Sequence, residues 1–309
     1  MASYDFKITE DWLVCNTCGT QFPTADRNEV KTCKICDDPR QYTPPSGQSF
    51  TTLKDIRSKH KNEFHSYAAD DRMTFIVSSP KVGIGQRACL IKTPAGYIMW
   101  DCISLLDKDT ISHINSLGGL KAIVISHPHY YSTHLEWAKA FNCPVYIAAE
   151  DKVWTTQTSP AQVLLDTIER EIEVDGVKTG AKAIKLGGHF PGSLVLLFGG
   201  HLLIADTLLT TPSGMGSWET DALGNPRSRP EGMNSFSFMW SIPNFIPLSA
   251  DEIARMWSIL KDYEFKSTHG AFLTQDIEAA DIKKRVLDSM QIQTKFMGWT
   301  EHPFMKESL

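Results

Sequence analysis

The sequence predicts a mixed α/β protein in which β-sheets are sandwiched between helices, preceded by a small module held by a metal ion. Three observations carry this. Short apolar runs bounded by turn residues recur along the chain and alternate with segments of helical period. Four of the seven cysteines are paired near the N-terminus. The chain has 309 residues, 42% hydrophobic and 22% charged, enough to fill a sizeable core and unlike a disordered or collagen-like composition. That length suits one large domain or two unequal ones.

Composition changes at YTPPSGQSF, residues 42–50. The expected organisation is therefore a module over 1–50 and a main domain over 51–309. In the main domain, 53–64 reads as a polar helix and 73–78 as a strand. Residues 88–93 and 97–102 flank Pro94-Ala95-Gly96 and read as a hairpin. Residues 107–116 read as a helix ended by Gly118-Gly119. KAIVIS, 121–126, reads as a buried strand. Thr133 with Glu136 three residues on gives a capping box for a helix over 133–141. Further strands are expected at 144–149, 183–186, 193–198 and 201–205, and helices at 250–262 and 277–296. Between them, 210–248 is rich in Gly, Pro, Ser, Asn and aromatics. So long an irregular stretch reads as an insertion or lid.

Several partner classes are disfavoured. The net charge of −5 advertises no phosphate-neutralising surface, so no nucleic acid is expected. The longest apolar runs are strand-sized, well short of the ~20 residues of a membrane span. The opening MASYDFKITEDW lacks a basic and then apolar signal segment, so a cytoplasmic protein is expected. Cys89, Cys102 and Cys143 lie in apolar strand-like contexts and read as core residues.

Cys15-x-x-Cys18-Gly19 and Cys33-x-x-Cys36 form CxxC–x14–CxxC. Two residues between thiolates let one tight turn aim both sulfurs at a single ion, and two such knuckles close a tetrahedral site. Zinc is the favoured ion, and four thiolates also suit iron. So small a module has too little core to fold without the ion. The module is zinc-ribbon-like or rubredoxin-like. Its acidic residues outnumber the basic ones, which argues against a DNA-reading role.

The second signal is KAIVISHPHYYSTHLEW. His127 and His129, at i and i+2, face the same way in extended chain, so one ion can take both. His134 follows at the start of the capped helix. His189 lies in the glycine-flanked turn GGHFPGS, Asp206 ends the strand HLLIAD, and His269 lies in STHG. Each sits where a strand gives way to a loop, the usual place for ligands held on a rigid scaffold. Tyr130 or Tyr131 could hydrogen-bond a developing oxyanion. The aromatics of the insertion could line a substrate pocket, pack onto the body or form a homodimer face.

The order HxH…GHxPGS…(L/I)xAD…HG resembles the metallo-β-lactamase superfamily over residues 70–275. The resemblance implies an αββα sandwich with one or two metals at the sheet edges. It implies that His127, His129 and His189 hold the first metal, that Asp206 bridges two metals, and that His269 helps hold the second. The sequence departs from the usual HxHxDH, because Tyr131 stands at the aspartate position and Ser132 at the histidine position. His134 is then the obvious substitute ligand, and Asp206 and Tyr131 are the catalytic candidates. The expected function is a zinc-dependent hydrolase of a small carbonyl substrate, a lactam or lactone first. The alternative is a degenerate metal- or ligand-binding protein of the same fold.

Overall fold

The computed structural model describes residues 4–309, so the first three residues of the MASYDFKITEDW opening lie outside the described residues. Strand β1 (Leu13–Cys15) pairs antiparallel with β2 (Phe50–Thr52), which leads directly into α1 (Leu53–Lys59). Between β1 and β2 run the two cysteine knuckles. Gly19 has φ +77°, a left-handed turn that suits glycine, and its N–H donates to the Cys15 carbonyl at 2.8 Å.

The first large sheet has seven strands in sequence order. They are β3 (Lys61–Ser66), β4 (Met73–Ser79), β5 (Ala88–Thr93), β6 (Gly96–Trp100), β7 (Leu120–Val124), β8 (Val145–Ala148) and β9 (Gln162–Leu165). The strands from β3 to β6 are antiparallel neighbours, and those from β6 to β9 are parallel. The parallel pairs need crossovers. These carry α2 (Lys108–Ser116), between β6 and β7, and α3 (His134–Phe141), between β7 and β8.

A second sheet of six strands packs against the first. It begins with β10 (Glu169–Val174), β11 (Val177–Lys185), β12 (Leu194–Phe198) and β13 (His201–Leu203). The insertion then contributes β14 (Leu209–Thr210), α4 (Pro212–Met215), β15 (Phe236–Ser237), β16 (Met239–Ser241) and β17 (Ile246–Pro247). After α5 (Ala250–Leu260), strand β18 (Ser267–His269) pairs parallel with β13, β19 (Asp276–Glu278) closes the edge, and α6 (Ile282–Phe296) follows.

Alternation along the strands separates three cores. Cys89, Ile91, Ile98 and Trp100 meet Ala181, Ala183, Leu194 and Leu196 between the sheets. The intervening Leu90, Met99 and Ile123 face Trp137 and Ile114 of the helices on the first sheet. On the outer face of the second sheet, Val195 and Leu202 pack with Ile253, Trp257, Val286 and Met290. Both faces of the central strands are buried, so they read as continuous apolar runs, as in KAIVIS. The layers are helix, sheet, sheet, helix. Among the described residues, no helix is long and apolar enough to cross a membrane.

Three local expectations differ from the structure. The expected 53–64 helix stops at Lys59, and 61–66 becomes β3, whose backbone pairs with β4. The expected 277–296 helix begins at Ile282, because its first turn is spent on β19. The capping box at α3 does not form. The Thr133 hydroxyl donates to the Ser104 carbonyl at 2.9 Å, and Glu136 accepts instead from the Tyr4 hydroxyl and from Thr9 Oγ1 at 2.6 Å. Tertiary partners outbid the local helix-start signal.

The cysteine module is docked onto the sandwich. Gln21 N–H donates to the Ser132 carbonyl at 3.1 Å, Ser104 Oγ to the Gly19 carbonyl at 3.0 Å, and Lys34 Nζ to the carbonyls of Val153 and Thr155 at 3.0 and 2.7 Å. A Cβ at position 19 would collide with Ser104 Oγ. Gly19→Ala is therefore expected to lower stability by about 1–3 kcal/mol, combining positive-φ strain with a displaced serine. Urea denaturation of the two proteins with equal metal content measures it, and an unchanged midpoint contradicts the docking described.

Candidate metal centre

Strand β7 runs out of apolar residues at the end of the first sheet, and the chain then turns sharply. Ser126 N–H donates to Asp101 Oδ1 at 2.8 Å, and the Ser126 carbonyl accepts from Leu194 N–H at 2.8 Å. These bonds tie the end of β7 to the end of β6 and to the start of β12 across the sandwich. Asp101 sits at φ +59°, and burial pushes its carboxyl up to about 8.

His127 and His129 project from this corner, His189 from the GGHFPGS turn before β12, and Asp206 from the loop after β13. Their ligand atoms lie within 4.8 Å of one another, and all four residues are at most 6% exposed. Asp206 Oδ2 is 3.3 Å from His127 Nε2, 3.5 Å from His129 Nδ1 and 3.8 Å from His189 Nε2. His189 Nε2 is 3.3 Å from His129 Nδ1. A tetrahedral ion with bonds of ~2.0–2.1 Å needs donors about 3.3–3.4 Å apart, so the spacing fits one ion.

The electrostatics agree. Burial pushes His129 and His189 down to about 4 and lowers His127 as well, so all three imidazoles stay neutral at pH 7. Burial alone would raise Asp206, but His127 and the other imidazoles outweigh it and hold the carboxyl well below the usual range. A carboxylate and three neutral imidazoles converge here, and His127 Nε2 has no hydrogen-bond partner. The outer nitrogens are oriented. His127 Nδ1 lies 2.8 Å from Ser126 Oγ, and His189 Nδ1–H donates to the Met239 carbonyl at 3.0 Å, which aims Nε2 inward. Tyr130 Oη donates to Asp206 Oδ1 at 2.9 Å, leaving Oδ2 for the cluster.

The other sequence candidates lie elsewhere. His134 is outside the cluster: Nδ1–H donates to the Tyr131 carbonyl at 2.8 Å, and Nε2 accepts from the Gln162 amide at 2.9 Å. Both nitrogens are spent, so it is placed to hold the start of α3 rather than to replace the missing ligand. His269 faces Leu203 across the β13–β18 pair, and the pleat turns it between the sheets. There Nδ1 bonds Asp276 Oδ1 at 2.8 Å, and Nε2 lies 3.1 Å from both His201 Nδ1 and Ser267 Oγ. Tyr131 points away and donates to the Asp151 carbonyl at 3.1 Å, while Ser132 at φ +45° donates to the Cys102 carbonyl. The tyrosine at the cluster is thus Tyr130. Asp101 was not among the sequence candidates, although it follows a strand end just as Asp206 does.

Cys15, Cys18, Cys33 and Cys36 form the second group, all buried. Cys15 and Cys36 Sγ lie 3.7 Å apart, as do Cys18 and Cys33. Bonds of ~2.3 Å to a tetrahedral ion require about 3.8 Å. Hydrogen bonds from Cys18, Cys33 and Cys36 lower the Cys15 thiol, and Cys15 in turn raises Cys18 and Cys36.

The αββα layering and a histidine–carboxylate cluster at the sheet ends define a class, and the comparisons agree: the chain belongs to the metallo-β-lactamase superfamily, whose family model matches residues 85–245. The uncharacterized protein YmaE of Bacillus subtilis (strain 168) is 36% identical over 277 residues, covering 87% of this chain and 92% of its own. A solved structure of the DIM-1 metallo-β-lactamase superposes with a TM-score of 0.50 at 14% identity, covering 76% of this chain and 98% of that one. The chemotaxis sensor ODP, a peroxy diiron species, superposes with a TM-score of 0.48 at 13% identity, covering 73% of this chain and 92% of its own. The fold binds metal ions, and this chain offers a histidine–aspartate group and a four-cysteine group for them.

Two outcomes follow from these placements. If the histidine–aspartate group holds an ion, His127→Ala or His189→Ala should lose it, whereas His134→Ala should leave metal content unchanged; elemental analysis decides, and a lost ion in His134→Ala contradicts this placement of His134. The second concerns acid. Burial pushes His134 down to about 4, while the unfolded chain protonates near 6.5. The unfolded state binds the extra proton first, so stability from this group is full above pH 6.5 and is lost as pH falls toward 4, by up to about 3 kcal/mol. His134→Gln should flatten that part of the stability–pH curve, and an identical slope rejects the account.

Proposed function

We propose that this chain is a metal-dependent hydrolase of a small carbonyl substrate, with lactams and lactones as the first substrate classes. The observation that supports this reading is the convergence of three neutral imidazoles and the Asp206 carboxylate at the spacing of one ion. His127, His129 and His189 would hold that ion, zinc by preference, with Asp206 as fourth donor. When bound, the ion supplies Lewis-acid polarisation of a carbonyl and lowers the pKa of water to about 7.

The chain's own residues set the stage for that chemistry. Tyr130 is kept neutral by burial and fixes the Asp206 carboxylate through Oδ1. Asp206 stays ionised and provides the fixed negative charge that retains a cation. Met239 and Ser126 fix the orientation of His189 and His127. Strand β16 of the insertion thereby reaches the site, consistent with a lid role for 210–248. The missing second-metal ligands at 131 and 132 leave one ion in the cleft, so we propose two ions per chain in total.

A second reading has its own support. Four protein donors at tetrahedral spacing, all nearly inaccessible, is also how a structural or degenerate site is built. The zinc-loaded full chain assayed on a panel of lactones, lactams and thioesters separates the two. Turnover of one class is expected, falling at least about 100-fold in His189→Ala and about 10-fold in Tyr130→Phe, while Tyr131→Phe stays near wild type. No turnover of any class by protein with an occupied cluster rejects the hydrolase and leaves the binding protein.

A further inference from the structure

The four-cysteine module reaches further than its own ion. Two residues after Cys36 the chain enters Asp38-Pro39-Arg40, and this segment lies on the turn that presents His189. Arg40 Nη1 donates to the His189 carbonyl at 3.3 Å. Its guanidinium lies over Phe190, 3.8 Å from the ring centroid, with Trp154 and Trp240 at 5.3 and 5.7 Å. Asp38 grips the same guanidinium twice, Oδ1 accepting from Nε at 2.7 Å and Oδ2 from Nη2 at 2.8 Å. The Pro39 carbonyl accepts from Ser241 Oγ at 2.5 Å and Asn244 Nδ2 at 2.7 Å. The segment is therefore pinned to the insertion as well, next to the Met239 carbonyl that orients His189.

Phe190 is the intermediary. It is fully buried, and its ring centroid lies 5.7, 5.0 and 5.2 Å from those of His127, His129 and His189. A guanidinium stacked on this ring and bonded to the preceding carbonyl fixes the turn from outside. The Arg40 and Asp38 side chains are themselves only 11% and 13% exposed. The knuckle carbonyl of Cys33, which accepts from the N–H groups of Cys36 and Asp37 at 2.9 Å, sets where this segment starts.

We propose that Arg40 is a positioning residue for the histidine–aspartate centre, supplied by the cysteine module, so that loading of the thiolate site raises metal affinity at the other site. The proposal rests on the cluster holding an ion. Coupling of this kind is reciprocal, each ion favouring the other by the same factor.

The test uses the zinc-loaded full chain challenged with a chelator. Native mass spectrometry counts the ions, and cysteine alkylation reports the thiolate site. Arg40→Ala should weaken retention of the histidine–aspartate ion by about 10–100-fold while the four cysteines stay protected. Arg40→Lys should fail to rescue it, since an ammonium can neither lie flat on Phe190 nor fork onto Asp38. Cys33→Ser with Cys36→Ser should weaken the same ion comparably. Proton NMR adds a local signature: the His189 Nδ1 proton should exchange faster in Arg40→Ala, with the His134 Nδ1 proton unchanged. Retention of the histidine–aspartate ion equal to wild type in Arg40→Ala, or in the Cys33→Ser, Cys36→Ser variant, overturns the role of Arg40. A histidine–aspartate site that takes up no zinc in the wild type overturns the metal reading itself, and this proposal with it.

Discussion

A buried carboxylate facing three buried neutral imidazoles is the constraint on which the rest of this structure depends. Such a group of lone-pair donors is costly to assemble in a dry interior unless a cation joins it. The scaffold must therefore hold the donors in place rigidly. It does so by bringing them from the ends of strands in both sheets and by bonding those ends to one another through Ser126, Asp101 and Leu194. The packed cores on either side leave these corners little room to relax.

The same constraint explains the departure at positions 131 and 132. A two-ion site needs donors there, yet Tyr131 and Ser132 turn away, and the Ser132 carbonyl instead receives Gln21 of the cysteine module. His134 and His269 are present but committed to the Tyr131 carbonyl and Gln162, and to Asp276, His201 and Ser267. Positions 131 and 132 thus serve the docking of the cysteine module and polar contacts within the sandwich. The histidine–aspartate group and the four-cysteine group are joined by the 38–40 segment.

The layers and most of the candidate donors are legible in local sequence pattern. Short apolar runs bounded by turn residues specify strands wherever packing agrees, and the hairpin around Pro94-Ala95-Gly96, strand β7 and helix α2 followed from local pattern. CxxC spacing is local geometry, so the thiolate group was legible outright. His127 and His129 were legible because two residues of extended chain fix their relation. Long-range contacts settle the rest. Whether 61–66 was strand or helix depended on β4 as a partner, and β9 and β10 were not among the expected strands, although Ile172 and Val174 alternate with Glu171 and Glu173. The pleat decided that His269 faces inward, and a helix start decided that His134 bonds its own neighbourhood. Which of two adjacent tyrosines met Asp206 was equally a matter of backbone direction at one corner. Composition and spacing name which residues can donate to an ion. Where their side chains point is set by long-range strand pairing and packing, which no local window of sequence contains.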